Sequence, residues 1–170
     1  EENIQSRIRG MLLMGVANKK NALVLNTGNK TETALGYCTI YGDMCGALGV
    51  ISDLNKEEVY SIANWFNSNC EQDVIPTNTI KKDPSAELSE NQKDPFDYKV
   101  VSPIIDNIVT HNKNAKELTE MGFDTLLSNS MINKVRKSEY KRKQAPPGLR
   151  VSRKAFGVGR RLPIVNKYRD

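Results

Sequence analysis

His111 is the only histidine among the 170 residues, which removes nearly every scheme in which an imidazole activates a serine or cysteine nucleophile. Cys38, Cys45 and Cys70 are odd in number and lack the paired short spacings of a zinc site. A disulfide framework or structural zinc is therefore not expected, and reduced, partly buried thiols of a cytosolic protein are the default. No apolar run approaches the ~20 residues of a bilayer span, and no signal-peptide pattern opens the chain. The expectation is a soluble, cytoplasmic protein with no membrane partner. No internal repeat occurs. Glu1 is read as other than the natural start, and the chain as a fragment.

At this length the chain buries one core, a single domain or a large part of one. Its charge is unevenly placed. Residues 134–170 hold thirteen Lys and Arg against Glu139 and Asp170, net +11, while the preceding 133 residues carry 12 against 18, net −6. Such asymmetry points to a nucleic acid, a membrane surface or a phosphorylated small molecule. Against nucleic acid, the basic segment offers only Tyr140, Phe156 and Tyr168 as stacking groups, in no recognisable binding pattern.

Ile4, Ile8, Met11, Leu12 and Val16 recur at helical spacing, so residues 2–19 read as an amphipathic helix, weakened slightly by Gly10 and Gly15. Ala22-Leu23-Val24-Leu25 has the pattern of a buried parallel strand ending at the turn Asn26-Thr27-Gly28-Asn29, and Thr31–Tyr37 restarts a helix. Strand, turn and helix in that order form an α/β unit whose ligand site lies at the carboxyl end of the strand. Residues 42–54 suit a loop crossing near a ligand or, equally, a surface connection. Asn55 caps a helix whose buried stripe is Val59, Ile62, Ala63 and Phe66. Residues 73–98, with three prolines, read as a long and mobile loop. Helices follow over about 102–112, around Leu118 and Met121, and from Leu126 to Val135, the last two separated by Gly122. The final fifteen residues are expected to be extended and to pack back through Phe156, Leu162 and Ile164.

Several residues have the right position for ligand chemistry and an ordinary reading as well. Thr27 stands where a parallel strand delivers its last side chain, yet an ordinary turn threonine fits as well. Glu32 lies in the first turn of the next helix, where a carboxylate commonly complements the dipole. Lys56 reads as a solvated helix-start lysine. Asn3 and Arg7 lie one turn apart and can reach a single ligand. Lys141, Arg142 and Lys143 are phosphate-seeking donors ahead of the rigid turn Pro146-Pro147-Gly148. Arg160, Arg161, Lys167 and Arg169 have no such anchor.

Five segments together carry a resemblance: Glu2-Asn3-Ile4-Gln5-Ser6-Arg7, Asn26-Thr27-Gly28-Asn29-Lys30-Thr31-Glu32, Tyr41-Gly42-Asp43, Asp83-Pro84-Ser85-Ala86-Glu87-Leu88, and Glu139 to Gly148. In this order they resemble the synthetase domain of the NAD synthetases, members of the N-type ATP pyrophosphatase family, across essentially the whole chain. Ile40 and Ala47 stand where the ammonia-dependent enzymes usually carry lysine and aspartate, which favours the glutamine-dependent branch. The resemblance implies a Rossmann-like α/β fold, the adenine-nucleotide alpha-hydrolase fold, here a partial domain over 1–170 with a helical C-terminal portion and a basic substrate-binding segment and tail over 134–170. It implies ATP contacts at Thr27, Lys56 and Ser85, and deamido-NAD contacts at Asn3, Arg7, Glu32, Tyr140 and Lys141. Lys56 and Glu32 are the implied catalytic residues, with Glu32 at Mg²⁺. Asp94-Pro95-Phe96-Asp97-Tyr98 departs from the usual Leu-Pro-Pro-Tyr segment and leaves the role of that loop open.

The implied reaction has two steps: the nicotinate carboxylate attacks the α-phosphorus of ATP, and ammonia then displaces AMP. Ammonia would come from glutamine through a preceding nitrilase-like glutaminase domain, and the enzyme would be a homo-oligomer of at least two copies. The pyrophosphate loop Ser-Gly-Gly-x-Asp-Ser is absent from these residues and is expected upstream of Glu1. The alternatives are an ammonia-dependent NAD synthetase and a non-catalytic basic module that binds phosphate or RNA.

Overall fold

The computed structural model describes residues 1–72 and 74–165. The basic tail beyond Val165, with Lys167 and Arg169, lies outside the described residues, as does Asp73 at the head of the expected loop.

The chain runs α1 (Glu2–Lys20), β1 (Leu25–Asn26), α2 (Lys30–Leu35), β2 (Leu48–Gly49), α3 (Lys56–Ser68), α4 (Thr77–Lys81), α5 (Tyr98–His111), α6 (Ala115–Glu120), α7 (Thr125–Lys137) and α8 (Glu139–Arg142). β1 and β2 pair in parallel, Leu25 opposite Leu48 and Asn26 opposite Gly49. The Pro146-Pro147-Gly148 turn lies alongside, with the Gly49 amide donating to the Pro147 carbonyl (2.9 Å) and the Leu149 amide to the Gly49 carbonyl (3.2 Å). The turn thus holds the C-terminal segment to the sheet.

The apolar core sits away from the sheet. Ala34 and Leu35 of α2 meet Val101, Ile104, Ile105 and Val109 of α5, closed by Leu118 of α6 and Met131 and Val135 of α7. α5 begins one turn earlier than its apolar period indicates, because the Asp97 side chain caps it through the Lys99 amide (2.9 Å). Gly122, at φ +93°, makes the break between α6 and α7.

Three apolar patterns resolve differently from their sequence reading. Ile4, Ile8, Met11, Leu12 and Val16 of α1 are exposed, and the buried face is Ser6, Gly10 and Ala17. The reason is close approach: a Cβ on Gly10 would lie 2.9 Å from the Gly42 carbonyl oxygen, so the helix docks through its small side. α3 has no buried residue, and Ile62 and Phe66 of its expected buried stripe are exposed. The strand is likewise not buried: Leu23 and Leu25 are exposed, and Asn26 points inward. The two helices stand where their periods place them, and the strand is confined to Leu25–Asn26, one residue into the expected turn; Val59 and Ala63 of the α3 stripe are half-buried, while its Ile62 and Phe66 face solvent.

The basic segment is partly structural. Arg142 is buried, its Nε donating to Glu139 Oε2 (3.0 Å) and its Nη1 to the Ala34 carbonyl (2.9 Å). Nη2 donates to the Val135 carbonyl, and the guanidinium carbon lies 4.4 Å from the centroid of the Phe156 ring. One guanidinium therefore satisfies late carbonyls of both α2 and α7. Arg160, read as unanchored, donates through Nε and Nη2 to the Val109 carbonyl and through Nη1 to Asn112. Phe156 and Leu162 pack on the core as expected, and Ile164 is exposed. Residues 74–98 are not wholly irregular: they hold α4 and are tied down where the Arg9 guanidinium donates to the Glu87 carbonyl (2.8 Å).

Arg142→Ala leaves Glu139 buried without its cation and is expected to destabilise the fold by about 3–5 kcal/mol. Lys143→Ala, one residue away and exposed, changes stability by less than about 0.5 kcal/mol. Urea denaturation of the two variants checks the contrast.

Candidate functional site

Asn26 ends β1 and organises the turn beyond it. Its amide nitrogen donates to the Asp43 carbonyl (2.6 Å) and its side-chain oxygen accepts from the Gly28 amide (3.0 Å). The next helix starts at a reciprocal cap: the Glu32 amide donates to Asn29 Oδ1 and the Asn29 amide donates to Glu32 Oε2, both at 3.0 Å. Oε1 of Glu32 is left for other partners. It accepts from the Tyr98 hydroxyl (3.0 Å) and lies 3.8 Å from Lys56 Nζ. Lys56, the first residue of α3, is held by a second such cap at Asn55 and Glu58, with its ammonium 5.5 Å from the centroid of the Tyr98 ring.

Asn26, Asp43, Glu32 and Lys56 border a cavity of about 470 Å³ at the carboxyl end of β1. Thr27, Glu32, Lys56, Ser85, Asn3 and Lys141 all line it. Asn3 accepts from Thr39 Oγ1 (2.7 Å). Lys141 Nζ donates to the Gly36 and Cys38 carbonyls, each at 2.7 Å, which leaves one N–H of the ammonium for a ligand. Arg7 and Tyr140 are not among the lining residues. Arg7 is exposed and donates to the Ile40 carbonyl (3.1 Å), and Tyr140 is also exposed.

Sequence reasoning missed Asp94 and Tyr98 as lining and neighbouring groups, although the loop that carries them stood out as a departure. The Tyr98 hydroxyl lies 2.7 Å from Asp94 Oδ2 as well as 3.0 Å from Glu32 Oε1. One hydroxyl has one proton, so it satisfies one of the two carboxylates; Glu32 Oε1 also has the Lys56 ammonium 3.8 Å away, and the Tyr37 phenol stands beside Asp94. Asp94 Oδ1 is buried with no hydrogen-bond partner. Burial pushes the Glu32 carboxyl above its ordinary 4.5, against the opposing Asn29 amide and Lys56 charge. Burial and the neighbouring Asp94 hold the Tyr37 phenol up, to about 12, and burial raises the Cys38 thiol to about 11, so this cavity thiol is not a nucleophile at neutral pH. Among the described residues no cluster of three or more His, Cys, Asp or Glu side chains forms a metal cage.

The family profile described as NAD synthase matches residues 1–145. The chain belongs to the NAD synthase family. It is 45% identical over 171 residues to a glutamine-dependent NAD(+) synthetase of Synechocystis sp., covering 99% of this chain and 30% of that protein. The chain therefore spans about a third of the length of such relatives. Among solved structures it is similar to an NH3-dependent NAD synthetase of Campylobacter jejuni, at 31% identity and a TM-score of 0.62 over 82% of this chain and 50% of that one. A glutamine-dependent NAD(+) synthetase of Cytophaga hutchinsonii shares the fold at a TM-score of 0.71 and 22% identity, over 97% of this chain and 28% of that one. Leu25 and Asn26 of the parallel strand β1 line this cavity, the Rossmann-like arrangement that the strand, turn and helix order implies.

Because the Glu32 carboxyl titrates higher in the folded chain than in the unfolded one, its contribution favours folding fully below pH 4.5 and is lost as pH rises through the folded value. Glu32→Gln keeps an acceptor for the helix cap and removes the titration. The stability of the wild type minus that of the variant is expected to fall between pH 4.5 and neutrality, measured by urea denaturation across that range. A difference flat in pH would remove Glu32 as a group strained by burial.

Proposed function

We propose that this chain is the C-terminal part of the synthetase domain of a glutamine-dependent NAD synthetase, and that the 470 Å³ cavity holds the reacting ends of ATP and deamido-NAD. The observation that carries the reading is the convergence of Thr27, Glu32, Lys56, Ser85, Asn3 and Lys141, from five separate stretches of sequence, on one cavity. The Synechocystis relative is named as glutamine-dependent, and this supports the glutamine branch over the ammonia-dependent one. None of the 170 residues forms a Ser-Gly-Gly-x-Asp-Ser loop, so the remainder of the pyrophosphate site is assigned to sequence outside this chain.

The nicotinate carboxylate, with an ordinary pKa near ~4, is ionised at neutral pH and needs no histidine to attack the α-phosphorus of ATP. Lys56 neutralises charge developing on the departing pyrophosphate. Lys141, fixed by two carbonyls, presents its remaining N–H to the dinucleotide, and Asn3 of α1 lines the same cavity. Ser85, Leu88 and Gln92 belong to the wall contributed by residues 74–98, which shields the adenylate until ammonia displaces AMP. Glu32 and Asp94 fit Mg²⁺, a cation that takes oxygen ligands from one or two carboxylates and from substrate phosphates. The unpartnered, buried Asp94 Oδ1 supports that fit. When bound, the metal supplies charge neutralisation at the phosphates. We place the enzyme in the cytoplasm as a homo-oligomer of at least two copies. Among the described residues no helix is long and apolar enough to cross a membrane.

In active enzyme, Lys141→Ala is expected to raise KM for deamido-NAD or lower turnover by at least about tenfold, the loss of one charge-assisted contact. Neutralising exposed Arg153 and Lys154 together has a much smaller effect that fades with salt. Steady-state kinetics at two salt concentrations decides it, and equal, equally salt-sensitive losses sink the assignment of Lys141.

The 170-residue chain alone is expected to release no pyrophosphate from MgATP and deamido-NAD. Turnover at the rate of complete enzyme would show that the chain holds a whole site.

A further inference from the structure

Lys30 is 1% exposed, the largest fully buried side chain among the described residues, and it does not line the cavity. Its ammonium lies 3.5 Å from Asp53 Oδ1 and 3.1 Å from Asp106 Oδ1. Its own amide donates to the Leu54 carbonyl at 2.7 Å. An ion pair buried this deeply is a poor source of net stability, since apolar residues of similar volume commonly do as well. What it does supply is geometry.

Lys30 and the two carboxylates that hold its ammonium lie on or beside the three elements that build the Glu32, Lys56 and Tyr98 constellation. Lys30 opens α2, two residues before Glu32. Asp53 lies three residues before Lys56, at the entry to α3. Asp106 is on α5, whose first residue is Tyr98. Within the constellation the Tyr98 hydroxyl bonds Glu32 at 3.0 Å and links α5 to α2, but Lys56 is held only by a 3.8 Å ion pair to a partly exposed Glu32 and by the Tyr98 ring, and neither contact fixes the entry to α3. Thr31 and Ser102, hydroxyl to hydroxyl at 2.9 Å and both buried, tie α2 to α5 but make no contact with α3. Asp53 extends the junction further: its Oδ2 accepts from the Val151 and Ser152 amides at 2.8 and 2.6 Å, which binds the chain beyond the Pro146-Pro147-Gly148 turn to the same point.

We propose that Lys30 is a positioning residue that fixes Lys56 against Glu32 and Tyr98 by clamping α2, the entry to α3, and α5 to one buried ammonium. Its role is to hold the site residues in register without touching a ligand. The inference concerns the geometry of the constellation and rests on the proposed function only for its kinetic readout.

The test separates register from stability. Lys30→Met alone strands Asp53 and is expected to lower the Tm steeply. Adding Asp53→Asn removes the stranded charge while leaving an acceptor for the 151–152 amides, so the Tm returns toward that of the wild type. In this double variant the nuclear Overhauser contacts between the Lys56 side chain and the Tyr98 ring are expected to be lost or strongly weakened. Turnover of active enzyme falls by about tenfold or more, with KM for ATP changed less. Asp106→Ala, at a carboxylate that is 38% exposed, folds without difficulty and weakens the same Overhauser contacts in part. Retention of the Lys56 to Tyr98 contacts in both variants would overturn the proposal and leave Lys30 a stability residue. Wild-type enzyme without ATP-dependent turnover would overturn the proposed function and leave the Overhauser comparison intact.

Discussion

Asn29, Lys30 and Thr31 are three consecutive polar residues that are buried, with Glu32 next to them largely covered, and the rest of the architecture follows from satisfying them. Each polar group taken from water needs a partner within hydrogen-bond reach, since an unmade bond in the interior costs more than a made one gains. Asn29 and Glu32 satisfy each other at the helix start, Thr31 finds Ser102, and Lys30 finds Asp53 and Asp106. Those partners lie on α5 and just before α3, so the polar requirement of one short helix brings together elements far apart in sequence. The apolar core of α2, α5, α6 and α7 forms behind this layer, and the cavity opens in front of it.

The same economy explains the basic C-terminal segment. Its charges divide by what they neutralise. Arg142 meets Glu139 and the late carbonyls of α2 and α7, and Arg160 meets the end of α5. Lys141 meets two carbonyls and the cavity. A net charge summed over the segment therefore overstates what it offers to a ligand. Nor do the solvent-facing rows of α1 and α3 report on the core: α1 docks through Ser6, Gly10 and Ala17, and α3 has no buried residue.

Much of the fold was legible because its signals are local. The strand, turn and helix around Asn26 to Glu32 follow from an apolar run, a turn and a capping residue, and α3 from Asn55 with Glu57 and Glu58 behind it. The break at Gly122 follows from a residue that tolerates positive φ. The site was legible in part for another reason: Thr27, Glu32, Lys56, Ser85, Asn3 and Lys141 were read from motif resemblance, and all six border one cavity. Arg7 was read from the same resemblance and from its spacing to Asn3, and neither decides which side of α1 approaches the loop at Gly42; here Arg7 is exposed and bonds the Ile40 carbonyl. Tyr140 was read from the resemblance too, but neighbouring residues of a short helix point in different directions, and it is Lys141 that faces the cavity.

The sequence by itself determined the order of the main elements, the cap at Asn55, the break at Gly122, the placement of charge and the family to which the chain belongs, since each depends on residues close together along the chain. Only the tertiary structure decided which faces are buried, that Asp94 and Glu32 compete for one hydroxyl proton, and that a lysine read merely as part of a motif sits at the junction of three elements. Such facts depend on distances between residues 66 to 76 positions apart along the chain, as for Tyr98 with Glu32 and Lys30 with Asp106, and no local pattern encodes those distances. They are set by the joint requirement that every buried polar group find its partner while the apolar core closes behind it.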